Sequence, residues 1–202
     1  MFCWGHFITT KLIFFLREQR GWRIITTFAD TIYIIMERLV NPYIGLEGYN
    51  CFGCAPHNPM GLHMEFFEDG DDVVVEWQPQ ANVQGWVDSL HGGVQATLAD
   101  EMCGWVISRK FQTAGVTSRM EVKYMKPVRI SAGQVTLRAH VLEQKRNLID
   151  VEAMIYDGAG EACTRVICTF FIFSQERARE QFHFCDCLTE HEKADKEASA
   201  AK

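Results

Sequence analysis

Cations are scarce relative to acids in this chain: 20 lysines and arginines face 26 aspartates and glutamates. The deficit is concentrated between Asn41 and Phe173, which hold 10 Lys/Arg and 16 Asp/Glu. Such a balance leaves no broad phosphate-binding stripe and excludes a nucleic-acid partner. Long apolar runs are also missing. "FITTKLIFFL" is broken by Lys11 and "IITTFADTIYIIM" by Asp30, so neither spans a bilayer, and no small-residue cleavage site follows to make a secretory signal. No Gly-x-Ser-x-Gly elbow offers serine-hydrolase chemistry. "HEKAD" at His191 lacks the second histidine of a zincin, and Cys51-x-x-Cys54 has no second Cys-x-x-Cys to complete a zinc ribbon.

What is present is enough for one core, since the 202 residues are 48% hydrophobic. The expected layout is an extension over 1–40, a domain over 41–173 and a charged tail over 174–202. Residues 1–35 are read as lying upstream of the true start, with Met36 as initiator; the alternative is an amphipathic segment lying on a membrane or on the domain. The tail is read as a solvated helix or disorder without chemistry. The eight cysteines sit mostly in apolar patterns without a regular framework, which reads as reduced thiols in a cytoplasm.

Within the domain, "GLHMEFFE" and "VVVEWQ" flank "DGDD" and read as a hairpin. A loop from Pro79 to Leu90 leads to a helix from about Gly92 to Arg109 or Lys110, whose cationic last turn suits the dipole. Four strand-like runs follow: "GVTSRMEVKYMKPV", "QVTLRAHVLEQ", "LIDVEAMIYD" and "ACTRVICTFFIF". Two strands, one long helix and four strands with short links predict an α+β domain whose antiparallel sheet packs against the helix.

Val94, Leu98, Met102 and Trp105 form one apolar stripe of that helix, and Ala99, Cys103 and Val106 another, so it is central. Asp100 lies among the small residues Gly93, Ala96, Cys103 and Gly104. A buried carboxylate there needs a cause. One is catalysis, as a general base or nucleophile; the other is structural, an ion pair with Arg119 or Arg138 or simple access to solvent. Glu101 reads as a solvated neighbour. Gly92 and Gly93 leave backbone N–H groups uncovered at the positive end of the dipole, suiting an oxyanion or phosphate, or else they permit only a tight turn into the helix. Eight residues separate Gly92 from Asp100, about 12 Å along the axis. Both can serve one carbonyl carbon only if two copies of the helix run antiparallel across a two-fold axis, so joint catalysis requires a dimer.

"LHGGVQATLAD" and "CFGCAPHNPMGL" resemble motifs of the PaaI-type hotdog-fold thioesterases, and the likeness extends over about Asn41 to Phe173. The resemblance implies a hotdog fold, a long central helix wrapped by an antiparallel β-sheet. It also implies a homodimer that often pairs into a tetramer, and hydrolysis of acyl-CoA thioesters without metal or other cofactor. By the same resemblance Asp100 matches the catalytic acid and Gly92 the glycine whose N–H polarises the carbonyl. Gln84 falls near the amide that holds the carbonyl or the water, and His91 matches the motif histidine. Thr117 matches a hydroxyl that orients water, although unbroken strand alternation puts it on the face opposite Met120. Gly93, Lys126, Arg129 and Arg146, with Lys145, are the expected contacts for CoA phosphates. Trp86, Trp105 and Met102 are either acyl-pocket lining or plain core.

Two other readings stay open. Cys51 and Cys54 could form half of a zinc site completed by Cys185, Cys187 or His183. A non-catalytic hotdog protein could bind acyl-CoA and need neither Asp100 nor Gln84. A hotdog dehydratase would want a histidine near the acid, and none lies between Asp100 and Lys110.

Overall fold

The structure of the protein, a computed structural model, describes the backbone of residues 12–18, 21–28 and 31–33 and the whole of residues 36–201. Two compact units divide the chain at Met36. In the first, β1 (Leu12–Glu18), β2 (Gly21–Phe28) and β3 (Thr31–Tyr33) pair in that order as an antiparallel sheet. The amphipathic reading of residues 1–35 otherwise lies outside the described residues. Among the described residues no helix is long and apolar enough to cross a membrane.

The second unit is built on α1 (Gly92–Phe111), a 20-residue helix. Its start, its length and its apolar surface match the sequence pattern: Leu98, Ala99, Met102, Cys103, Trp105, Val106 and Ile107 are all buried. Gln95, on the same buried side, keeps its amide satisfied by donating to the Leu90 carbonyl at 2.9 Å and accepting from the Thr164 hydroxyl at 2.6 Å. The helix ends where Gln112 turns left-handed, at φ 50°.

A seven-stranded antiparallel sheet packs against this helix. Its strands are β4 (Glu37–Arg38), β5 (Phe67–Asp69), β6 (Asp72–Trp77), β7 (Gly115–Tyr124), β8 (Val135–Lys145), β9 (Leu148–Tyr156) and β10 (Ala162–Ile172). Their order is β4-β5-β6-β8-β9-β10-β7, so the strand that follows the helix ends at the far edge beside the last one. Alternation supplies the buried face: Val135, Leu137 and Ala139 of β8, Ile149, Val151, Ala153 and Ile155 of β9, and Val166, Cys168 and Phe170 of β10. The register slips at three places, between Val141 and Glu143, between Ala162 and Thr164, and opposite Thr169 and Phe170. Each extra residue adds bend and twist, which a sheet needs to close around a helix.

One expectation is corrected and another refined. The first hairpin strand does not begin at Gly61. Residues Leu62, Met64 and Phe66 are buried as alternation requires, but the Leu62 and Met64 N–H groups donate to the carbonyls of Phe52 and Gly53, at 2.8 and 2.9 Å, so a loop rather than a strand satisfies them. The tail is helical and mostly solvated, as one alternative had it, but it is anchored to the domain rather than free of it. It forms α2 (Gln175–Phe182) and α3 (Glu190–Ala200), and Ala178, Phe184, Cys187 and Thr189 between Gln175 and Glu190 are buried. The Gln112 side chain donates to the Cys187 carbonyl and accepts from its N–H, both at 3.0 Å. Val40 N–H reaches the Leu188 carbonyl at 2.8 Å. Charge-rich composition hid this because the anchoring residues are few and scattered among solvated ones.

Arg109 joins sheet, helix and tail. Its guanidinium donates to Glu68 at 2.6 Å, to Glu192 at 2.7 Å and to the Cys187 carbonyl at 2.9 Å, with only 10% of the side chain exposed. Burial pushes the Glu68 and Glu192 carboxyls up, but hydrogen bonds from Arg109, with Lys110 on Glu68 and the Thr189 N–H on Glu192, outweigh it and hold both below the usual 4.5. Removing one member of such a network strands the others. Arg109→Ala should therefore lose about 3 kcal/mol at neutral pH in chemical denaturation. Folded pKa values below the unfolded ones mean that this stabilisation is complete above the unfolded carboxylate value and is lost as pH falls through the folded values. Below about pH 4 the parent should approach the variant, whose stability changes less with acid over that window.

Candidate active site

The start of α1 is held open from several sides. His91 is the N-cap, and its Nδ1 accepts the Gly93 N–H at 2.9 Å. Gly92, the first helical residue, has an N–H with no intrahelical acceptor, and its carbonyl accepts the Tyr124 hydroxyl at 2.7 Å. A Cβ on Gly92 would stand 3.2 Å from Tyr124 Cζ and Oη, so the glycine permits that approach. Gln84 lies on the loop that returns to the helix, bridging to Leu90, and its side-chain oxygen accepts from Asp88 N–H at 3.3 Å. Asp88 in turn accepts from the Ser131 hydroxyl and N–H, which hold its carboxyl below the usual range.

Two turns along, Asp100 is half-buried rather than buried. The reason is topological: β7 is the edge strand, and no strand lies beyond it to cover that flank of the helix. Neither expected ion pair forms, because Arg119 pairs with Glu121 and Arg138 with Asp69 and Asp72. The partner is Thr117, whose hydroxyl donates to Asp100 Oδ1 at 2.6 Å. Strand alternation forbids this contact and the bulge restores it. Cys168 opposes Met120, Thr169 opposes Arg119, and Phe170 opposes Thr117, leaving Ser118 as the extra residue. Directly paired residues share a face, so Thr117 lies with buried Phe170 on the helix side.

The expected phosphate contacts are not brought together. Lys126 and Arg129 follow β7 at its Tyr124 end, where Arg129 bridges to Ser89 beside the helix start. Lys126 is paired with Glu161 at 2.6 Å, which raises its pKa, and Arg129 lies 3.6 Å from Asp88. Arg146 stands in the β8–β9 turn, at the sheet end where Leu148 and Val116 flank Phe171, opposite to Tyr124. Lys145 there is paired with Glu143. Met102 and Trp105 are core, whereas Trp86 is 85% exposed beside Gln84. Sequence reasoning passed over Tyr124, although its spacing from Met120 and Val122 marks the helix-facing side. Sequence reasoning also missed the partners of half-buried Glu101, which binds Cys51 and Trp105.

A cleft of about 530 Å³ opens elsewhere, lined by Arg38, His63, Phe66, Trp105 and Glu190 among others, and none of Gly92, Asp100 or Thr117 lines it.

Residues 88–164, from the loop before α1 to the first residues of β10, match the family model described as the thioesterase superfamily. A Saccharolobus solfataricus protein named as a candidate esterase is 24% identical over 93 residues, covering 46% of this chain and 61% of the relative. A crystal structure of a thioesterase superfamily protein superposes with TM-score 0.54 and 23% identity, covering 59% of this chain and 58% of the other. A Streptococcus pneumoniae thioesterase protein, described as hypothetical and solved with coenzyme A, gives TM-score 0.50 and 22% identity over 55% of this chain and 87% of its own. The chain has the fold of these thioesterase-superfamily structures. It spans less than two thirds of the curated relative and of the first of those structures.

His91 is a helix cap in this arrangement, which separates its structural role from any chemistry. His91→Ala should cost about 1 kcal/mol in chemical denaturation and His91→Asn should recover most of it, since Asn also accepts from the first-turn N–H.

Proposed function

We propose that the chain hydrolyses acyl-CoA thioesters to the free acid and CoA as a homodimer of hotdog subunits. Each site pairs Asp100 of one subunit with the Gly92 N–H of the other. The observation that carries this reading is the Thr117–Asp100 hydrogen bond of 2.6 Å, on a flank left open by the edge strand. Thr117 occupies one carboxylate oxygen and fixes the plane of the group, so the other oxygen is aimed for work. The thioesterase-superfamily match across Gly92, Asp100 and Thr117 and the coenzyme A in the pneumococcal neighbour support the substrate class.

The chemistry follows from these positions. Asp100 accepts a proton from water as the water oxygen bonds to the thioester carbon. Negative charge gathers on the carbonyl oxygen, which accepts from the Gly92 N–H at the positive end of the partner's α1. The C–S bond then breaks, and the departing sulfur takes up the proton held by Asp100. Direct attack by Asp100 would form a mixed anhydride that water cleaves to the same products. Gln84, exposed beside the helix start, offers its amide to the same oxygen, and His91 holds the loop. Lys126 and Arg129, at the Tyr124 end of β7, are the cations offered to CoA phosphates, whereas the Gly93 N–H is already taken by His91.

Thiol release from a panel of aromatic and aliphatic acyl-CoAs tests the acid: Asp100→Asn should lower kcat at least about a hundredfold with the fold intact. Binding of acyl-CoA by a parent that never turns it over would overturn the enzyme reading in favour of a binding module.

The oxyanion donor can be tested separately. His91 has φ −59° and ψ 133°, which suits a residue before proline, and the first helical position tolerates proline. Gly92→Pro should lose about 10²–10³ in kcat beyond Gly92→Ala, which adds a Cβ but keeps the N–H. Mixed with Asp100→Asn, it should regain about a quarter of parental activity, because half the dimers then hold one intact site. A mixture that stays inactive would place both groups in one subunit.

A further inference from the structure

The Cys51–Cys54 turn lies against α1 at the residue after Asp100. Cys51 Sγ is 3.4 and 3.5 Å from the two Glu101 oxygens, and ligand atoms of Cys51, Cys54 and Glu101 all lie within 4.8 Å of one another. Among the described residues no other group of histidine, cysteine and acid gathers this way, so Cys185, Cys187 and His183 do not complete the site as one sequence reading had it. Zinc holds sulfur at about 2.3 Å and oxygen at about 2.0–2.2 Å, so neighbouring tetrahedral ligands stand about 3.5–3.8 Å apart. Cys51 and Glu101 already stand at about that spacing, and Cys54 lies within 4.8 Å of both.

Three further features point the same way. The Gly53 N–H donates to Cys51 Sγ at 3.3 Å, and Tyr49 Oη lies 3.0 Å from Cys54 Sγ while accepting from Asn41 at 2.7 Å; donors of this kind stabilise sulfur that carries charge. A Cβ on Gly53 would stand 2.4 Å from Glu101 Cδ, so glycine alone lets the carboxylate lean over the turn. Trp105 Nε1 donates to Glu101 Oε1 at 3.3 Å and orients it. Glu101, half-buried, has no lysine or arginine partner among the described ion pairs, although it sits between two potential thiolates. A divalent cation would balance that charge.

We propose that Cys51, Cys54 and Glu101 bind a thiophilic divalent metal ion of the zinc class, with a water or the Tyr49 phenol as fourth ligand. Two sulfurs disfavour calcium and magnesium. The ion would tie the turn to α1 in a structural capacity, and nothing in it depends on how Asp100 acts.

The full chain, reduced and stripped of metal, is titrated with Zn²⁺ and with Co²⁺. One equivalent of either should bind, with a thiolate-to-cobalt absorption in the near ultraviolet and tetrahedral bands in the visible, and Zn²⁺ should raise the melting temperature. Cys51→Ser and Cys54→Ser should abolish the cobalt spectrum. Glu101→Gln and Gly53→Ala keep both thiols, and each should weaken binding at least about tenfold, since even an outer partner of a metal ligand is worth that much. Metal binding no tighter than that of the double serine variant would overturn the proposal, as would unchanged affinity in Glu101→Gln. So would a protein isolated with a Cys51–Cys54 disulfide whose reduced form binds neither metal.

Discussion

A helix that is apolar almost all the way round must be enclosed, and most of this architecture answers that demand. A regular flat sheet could cover only one side of α1, so β8, β10 and β7 each depart from register and bend the sheet toward it. The slip in β7 does more than bend. By inserting Ser118 it transfers Thr117 to the helix side, where the hydroxyl finds Asp100. Closure of the core and placement of the candidate acid are therefore one event in the backbone. The enclosure is also incomplete: β7 is an edge, with Val116, Tyr124 and Met125 exposed along and just beyond it. An edge strand invites pairing, which the proposed dimer would supply beside Asp100.

The two ends of α1 are treated in opposite ways. At the C-terminal end Arg109 and Lys110 are tied to Glu68, and Arg109 also to Glu192 of the tail, with these ionic partners largely withdrawn from water. At the N-terminal end small residues, a histidine cap and the Tyr124 hydroxyl hold the backbone, and the Gly92 N–H has no intrahelical acceptor. The dipole is thus neutralised where the structure needs stability and left available where an anion could arrive. The charged tail makes sense on these terms as the seal of the closed end.

Much of this could be read in the sequence, and the failures share a cause. The order of elements, the extent of α1 and the alternation in β8 follow from periodicity, a local property. The segment from Gly61 to Phe66 alternates like a strand yet is satisfied by loop carbonyls at Phe52 and Gly53, which no local pattern announces. Thr117 could be assigned only by resemblance, because a bulge reverses the parity that alternation would use. Glu101 was read as solvated since charge at a helix surface usually is, and only the fold brings Gly53 and Cys51 to it. The anchoring of the tail is hidden for the same reason: Gln112 and Arg109, distant in sequence, supply it.

Asp100 and Glu101 show how surroundings, not residue type, assign a role. Successive helical residues are turned by about 100°, so one carboxylate meets β7 and the other meets the turn at Cys51. The first receives a hydroxyl and an open flank; the second receives the Cys51 thiol and an indole N–H. Their adjacency also couples them mechanically. The 2.6 Å bond between Thr117 and Asp100 tolerates little rotation of α1 about its axis, and apolar contacts around a nearly uniform helix resist such rotation weakly because one apolar face resembles another. Directional contacts must set the angle. Gln95 on Thr164, Arg109 on Glu68 and Glu101 on the Cys51 turn fix it at three levels along the helix, and the third lies one residue from the group whose orientation matters most.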